Sequence, residues 1–217
     1  MNLDDVINHY DALITEGIDF VNDPPVLRGY MNTWDGPIFI DELHLDESKS
    51  VLEIGVGTGR LARQMIPFCS EFTGIDISPK TIECARENLT GSNKITLICG
   101  DFLQYPFNEQ FDIVYSSLTF MHIQDKMEAL SKVASILKPN GRFVLSIDKN
   151  QSECIDYGTR KVLIYPDKVD DIKRIVSGTS LEIRKIIEIE NAYIFVCVNQ
   201  SNYNQINKKI GANYEPC

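Results

Sequence analysis

The sequence is poor in the residues that hold metals. It has three histidines, His9, His44 and His122, and six cysteines at positions 69, 84, 99, 154, 197 and 217 that form no Cys-x-x-Cys pair. A zinc site needs clustered ligands, so no metal is expected. Cys84, Cys99 and Cys197 fall within apolar patterns and are expected as small core residues. Basic residues are also scarce, with 21 Lys and Arg against 31 Asp and Glu, a formal net charge of −10. Phosphate binding needs a basic surface, so nucleic acid is not expected as the main partner. Lys161, Lys168, Lys173 and Arg174 are too scattered to form a basic patch. No apolar run approaches the roughly 20 residues needed to cross a bilayer, so no membrane association is expected. The opening Met1-Asn-Leu-Asp-Asp-Val6 has neither a basic leader nor an apolar stretch. A cytoplasmic location is therefore expected, and with it no disulfide framework.

What is present is ordinary for a globular chain: 217 residues, 43% hydrophobic and 24% charged. That length suits one sizeable domain with a real core. Leu3, Val6, Ile7, Tyr10, Leu13 and Ile14 have the three-and-four spacing of an amphipathic helix. Residues 17–37 read as irregular, followed by a short helix near 38–43. From there strands and helices alternate. Strands are expected at 51–56, 72–77, 95–99, 111–116 and 142–147, with helices at 59–68, 79–89 and 127–137. Ser78 and Pro79 suit the N-cap and first position of a helix. Pro139-Asn-Gly141 is expected to break the chain before the fifth strand. A loop over 149–165, a helix at 167–176 and a hairpin of strands at 181–189 and 193–198 complete the pattern.

Continuous apolar strands alternating with helices imply a parallel sheet covered on both faces. The expected fold is therefore α/β, a Rossmann-like doubly wound, seven-stranded, mostly parallel sheet. Helices lie on both faces, and a C-terminal hairpin adds antiparallel strands. Three segments are expected: an N-terminal helical lid over 1–46, the main domain over 47–199, and a polar tail over 200–217.

The chemistry concentrates in Val51-Leu-Glu-Ile-Gly-Val-Gly-Thr-Gly-Arg60, where Gly55, Gly57 and Gly59 follow a buried strand and open a helix. Glycines there let the chain turn sharply, let a ligand approach the backbone and aim a helix N-terminus at it. Such a loop binds a nucleotide-like cofactor at the carboxyl edge of the sheet. The dinucleotide fingerprint is Gly-x-Gly-x-x-Gly, but the residue three after Gly57 is Arg60. The Gly-Lys-Ser/Thr of a phosphate loop is absent as well.

The run with its leading Glu53 resembles the first motif of class I S-adenosylmethionine-dependent methyltransferases. Phe72-Thr-Gly-Ile-Asp-Ile-Ser78 resembles their second strand, closed by an acid. Gly100-Asp101-Phe102 resembles the turn after their third strand, and Phe111-Asp-Ile-Val-Tyr-Ser-Ser117 their fourth strand. Leu137-Lys-Pro-Asn-Gly-Arg-Phe-Val144 resembles the turn before their fifth. Five matches in order cover residues 51–148.

The resemblance implies S-adenosyl-L-methionine as cofactor, with the glycine loop near its methionine and ribose. Glu53 would position the amino group, and Asp76 would take both ribose hydroxyls, as two acceptor oxygens suit a vicinal diol. Ile77 would pack on the adenine, Asp101 would accept from its amino group, and the Phe102 backbone N–H would reach a ring nitrogen. Ser117 would lie near the methionine part. The acceptor pocket is expected from the N-terminal segment, the residues after the fourth strand and the 149–165 loop. Candidates for substrate or lid contacts are Tyr10, Tyr30, Trp34, Tyr157 and Arg160, and His122 is the candidate base. The acceptor is expected to be a small molecule. The competing functions are a nicotinamide-dependent oxidoreductase and a non-catalytic S-adenosylmethionine-binding protein.

Overall fold

The computed structural model describes residues 3–200. Cys217 and the expected tail from 201 onward lie outside the described residues. The chain opens with α1 (Leu3–Thr15), α2 (Pro25–Asp35) and α3 (Pro37–Asp41). Val6, His9 and Leu13 form the buried stripe of α1, at the spacing that puts side chains on one helix face. The helix ends at Gly17, whose φ of +80° takes the left-handed conformation that closes many helices.

There follow β1 (Ser50–Ile54), α4 (Ala62–Met65), β2 (Glu71–Asp76), α5 (Pro79–Asn88), β3 (Ile95–Cys99) and β4 (Phe111–Ser117). Then come α6 (Lys126–Ile136), β5 (Leu137–Asp148), β6 (Cys154–Asp156), β7 (Lys161–Leu163), α7 (Val169–Val176), β8 (Leu181–Glu188) and β9 (Ala192–Asn199). Seven strands form one sheet in the order β3-β2-β1-β4-β5-β9-β8. The first five run parallel, while β9 pairs antiparallel to β5 and to β8. The expected architecture is therefore present.

The period of two in each strand divides the core. Leu52 and Ile54 of β1, Val114 of β4, and Phe143 and Leu145 of β5 face one side, where α6 and α7 supply Leu130, Val133, Ile172 and Val176. Val51, Ile113, Tyr115 and Val144 face the other, covered by Phe39 of α3, Met65 of α4 and Ile82 of α5. Phe39 and Leu43 are fully buried there. So residues 37–46, expected as part of a lid, contribute to the core.

Five local expectations are corrected. Residues 25–35 are helical, not irregular: Pro25 stands at the first helical position, where its missing N–H has no intrahelical role. The 59–68 helix shrinks to α4 and a 3₁₀ turn, Ile66–Phe68, because Pro67 lacks the N–H that would continue it. Pro139-Asn-Gly141 does not separate helix from strand. It forms an irregularity inside β5, where Asn140 takes φ +61° and pairing with β4 resumes at Arg142. The 149–165 loop contains the β6–β7 hairpin, turned at Gly158 with φ +77°. Cys99 is exposed, because β3 is the edge strand.

Candidate functional site

Adjacent strands β2 and β4 leave β1 on opposite sides, so a crevice opens at the carboxyl end of β1. That is where open α/β sheets bind ligands. Gly55, Gly57 and Gly59 there have φ of +79°, +55° and +96°, a region that favours glycine. Their roles differ. A Cβ on Gly55 would meet Thr119 Oγ1 at 1.9 Å, and one on Gly59 would meet Leu89 Cδ1 at 2.9 Å. Those two glycines make room for the protein's own packing. A Cβ on Gly57 would have nothing within 4 Å, so its open space belongs to the cleft. Across the crevice Leu118 has φ +54°, an uncommon conformation for a residue with a side chain and one found at functional turns.

Two lobes of the cleft meet at Tyr10, Gly55 and Thr119. The inner lobe is lined by Asp76, Ile77, Asp101 and Phe102 from the sheet edge, and by Val6 and Tyr10 from α1. Asp76 accepts from Ser78 N–H at 3.0 Å on Oδ1 and from Gly57 N–H at 3.0 Å on Oδ2. Burial pushes its carboxyl pKa up, against those hydrogen bonds. The N-cap of α5 is Ser78, as expected, whose hydroxyl accepts from Thr81 N–H. Asp101 Oδ1 accepts from Leu103 N–H at 2.9 Å, which shapes the turn after β3. Phe102 is both a core residue and part of the lobe wall.

Glu53, Gly57, Arg60 and Ser117 line the outer lobe, with Tyr30 and Trp34 of α2. Glu53 is buried and accepts from the Tyr115 hydroxyl at 2.8 Å. Burial lifts its carboxyl well above the usual range, beyond what the Tyr115 bond offsets. The Arg60 guanidinium donates to both oxygens of Asp35, at 2.9 and 2.6 Å. Ser117 adds its hydroxyl to Asp35 Oδ2 at 2.6 Å. Burial works against the Arg60 charge, but Asp35 more than offsets it and raises the guanidinium pKa. Asp35 itself is fully buried.

His122 closes the junction between the lobes on a 3₁₀ turn, Phe120–His122. Its Nε2 shares a 2.8 Å hydrogen bond with the Tyr10 hydroxyl. Burial lowers its pKa to about 4 and raises that of Tyr10 well above its ordinary value. Both groups are thus neutral at neutral pH. Beside them the His9 ring packs on Tyr157 at 4.4 Å, and Arg160 donates to His9 Nδ1 at 2.9 Å. Arg160 also pairs with Glu16. The β6–β7 hairpin is therefore fastened to α1.

The structure brings most of the expected residues together. Glu53, Gly55, Gly57, Asp76, Ile77, Asp101, Phe102 and Ser117 line the cleft, as do Tyr10, Tyr30, Trp34, Tyr157 and His122. Gly59 packs on Leu89 instead, and Arg160 joins two surface elements. Sequence reasoning missed Asp35, Thr119 and Asp148. The signal for Asp35 was Arg60, a cation in a buried loop that needed a partner. The strained turn at Leu118 has no counterpart in the pattern.

These residues fit the group that the sequence resemblance implies. An apolar slot beside Ile77 and Phe102 suits a flat ring. Asp76 and Asp101 offer acceptors beside it, and Gly57 leaves room for a close approach. Glu53 is a buried carboxyl whose hydrogen bond comes from a hydroxyl and which the Arg60 charge does not hold ionised, and a ligand ammonium would stabilise its ionised form. Among the described residues no group of three or more His, Cys, Asp and Glu stands ready to hold a metal ion. No helix among them is long and apolar enough to cross a membrane.

Residues 52–145 match a family model described as a methyltransferase domain. An uncharacterized methyltransferase of Anoxybacillus flavithermus is 36% identical over 121 residues, 54% of this chain and 56% of that protein. The malonyl-[acyl-carrier protein] O-methyltransferase of Priestia megaterium is 32% identical over 102 residues, covering 45% of this chain and 36% of that protein. The aligned part spans about half the length of the first curated relatives, between 38% and 56%. Among solved structures, the N-methyltransferase NodS of Bradyrhizobium japonicum, in complex with S-adenosyl-L-homocysteine, superposes with TM-score 0.66 at 18% identity. That match covers 88% of this chain and 97% of NodS. An S-adenosylmethionine-dependent methyltransferase of Mesorhizobium loti superposes with TM-score 0.66 at 17% identity, over 76% of this chain and 97% of that one. Both likenesses establish the shared fold.

Proposed function

We propose that this chain, whose residues 52–145 match a methyltransferase-domain model, is a class I S-adenosylmethionine-dependent enzyme that transfers a methyl group to a small-molecule acceptor. The observation that carries this reading is the two-lobed cleft over β1, β2 and β4. It holds Asp76 at the end of β2, Asp101 in the turn after β3, an open glycine and the buried Glu53 carboxyl.

When bound, S-adenosylmethionine supplies an electrophilic methyl on a sulfonium. The chain's part is binding and alignment, which can supply much of the rate of an in-line displacement. In this reading Asp76 holds the ribose hydroxyls, Asp101 and the Phe102 N–H hold the adenine, and Ile77 packs on it. Glu53 ionises against the amino group, and Tyr115 keeps it in place. Gly55 and Gly57 face the methionine part. Ser117 acts indirectly, through Asp35 and Arg60. α1 and α2 form the lid, while α3 belongs to the core.

His122 serves as a positioning residue for Tyr10. A base with a pKa of about 4 is too weak to deprotonate a hydroxyl. The NAD alternative needs a third loop glycine, and Arg60 occupies that place with its charge committed to Asp35.

The test is transfer of tritiated methyl from S-adenosylmethionine to a panel of small acceptors. Release of one S-adenosylhomocysteine per methyl is expected, with loss of turnover in Asp76→Ala. Cofactor binding without transfer to any acceptor would favour the non-catalytic alternative.

A further inference from the structure

We propose that the acceptor is an amine with an apolar body, bound between the aromatic faces of α2 and the β5 terminus with Asp148 as its anionic contact. This rests on the methyl-transfer reading above and specifies its acceptor.

The charge of the outer lobe is the first argument. Three side chains with formal charges line it: Glu53, Arg60 and Asp148. Among the described residues Arg60 is the only cation there, and both its terminal nitrogens donate to Asp35. With Glu53 committed to the cofactor's amino group, an anionic acceptor would face the Asp148 carboxyl with no unspent cation. A cationic one is attracted, and the reduced dielectric of a cleft strengthens that preference.

The wall is the second argument. Phe20, Tyr30, Trp34 and Tyr157 line the same lobe. Tyr30 and Trp34 meet edge to face, with ring centroids 4.9 Å apart. Aromatic faces attract ammonium groups, most strongly where water is displaced. α2 is tied to the strand that ends in Asp148, because Ser146 of β5 donates to the Trp34 carbonyl at 2.6 Å. Asp148 uses Oδ1 to hold the following turn, through Asn150 N–H at 2.8 Å.

The movement of charge during transfer favours the same acceptor. Once the bound ammonium has given a proton to solvent, the amine lone pair forms the new C–N bond while the methyl–sulfur bond breaks and its electron pair leaves with sulfur. Positive charge thereby moves from sulfur to nitrogen, and the product sheds any N–H proton to solvent. A carboxylate and aromatic faces at the nitrogen stabilise that charge as it arrives. A hydroxyl acceptor would instead need a strong base, and the neutral His122 is not one.

The test uses the full-length chain saturated with S-adenosylhomocysteine and three probes of one shape: 2-phenylethylamine, 2-phenylethanol and 3-phenylpropanoate. Calorimetric titration is expected to show the amine binding at least tenfold more tightly than the carboxylate. Asp148→Asn should cut that ratio at least fivefold without changing the S-adenosylhomocysteine Kd. Tyr30→Ala, at an exposed position that tolerates truncation, should weaken the amine at least threefold. Equal or tighter carboxylate binding, no binding of the amine, or an unchanged ratio in Asp148→Asn would overturn the proposal. Failure of S-adenosylhomocysteine itself to bind would instead defeat the methyl-transfer reading.

Discussion

Asp35 and Arg60 form a buried ion pair 25 residues apart in sequence, on α2 and on the helix-ward end of the glycine loop. Removing one partner of such a pair strands the other charge, which typically costs about 3–5 kcal/mol. Asp35→Ala is expected to lose that much in denaturant unfolding, and an effect under about 1 kcal/mol would show that the pair is not buried in solution. The glycines separate in the same way. Gly55→Ala should lower stability sharply, because Thr119 occupies the space. Gly57→Ala meets no protein atom within 4 Å. It should keep the fold at a cost of about 1–2 kcal/mol for its left-handed φ, yet weaken S-adenosylhomocysteine at least tenfold. Calorimetry on both variants checks the contrast. His122 yields a pH prediction. Its pKa is lowered on folding, so its contribution is fully present above about 6.5 and is lost as pH falls through about 4. That amounts to about 3 kcal/mol. His122→Asn should flatten the stability profile over that window, and an unchanged slope would contradict the burial argument.

At the scale of elements, the proposed lid has a boundary that the sequence did not mark. α1 is held by contacts at its own surface: Asp11 accepts from the Ser78 hydroxyl at 2.6 Å, and Arg160 reaches Glu16 and His9. Deleting residues 1–24 is expected to leave a cooperatively folding core with S-adenosylhomocysteine binding at least tenfold weaker. Deleting residues 1–40 also removes Asp35 and Phe39 and should abolish folding. A 1–24 deletion that binds as tightly as the full chain would remove α1 from the lid. The strands were legible because β1 and β4 are largely buried and read as mostly apolar runs, interrupted by Glu53 and by Asp112. The cap at Ser78 was legible because its geometry is local. α2 was not, since its first turn carries Pro25 and its exposed face includes Val26, Leu27 and Tyr30, which leaves no clean apolar stripe. The β6–β7 hairpin has three residues per strand, too few for alternation to register. It is fixed by contacts with α1 that no local pattern encodes. Cys99 was misplaced for a related reason, as an edge strand carries the same apolar letters as a central one.

At the scale of the molecule, the cleft depends on the order of the strands. β1 lies between β2 and β4, so the glycine loop, Asp76 and the Ser117–His122 turn converge although 68 residues separate Gly55 from Ile123 in the two stretches that line it. Asp76 and Asp101 were legible from their spacing. The closing aromatic wall depends on α2 crossing to β5, a contact set by tertiary packing. The net charge of −10 gives the whole surface the sign that attracts the cationic acceptor proposed here. Added salt should therefore weaken its capture more than that of the matching alcohol. The central claim is that this cleft holds S-adenosylmethionine. The most direct test is thermal unfolding of the full chain with S-adenosylmethionine, S-adenosylhomocysteine and NAD in turn. Either of the first two, at about 100 times its dissociation constant, should stabilise the fold by about 2.7 kcal/mol, with no shift from NAD and a much reduced shift in Gly57→Ala. Stabilisation by NAD without any response to the other two would contradict the account.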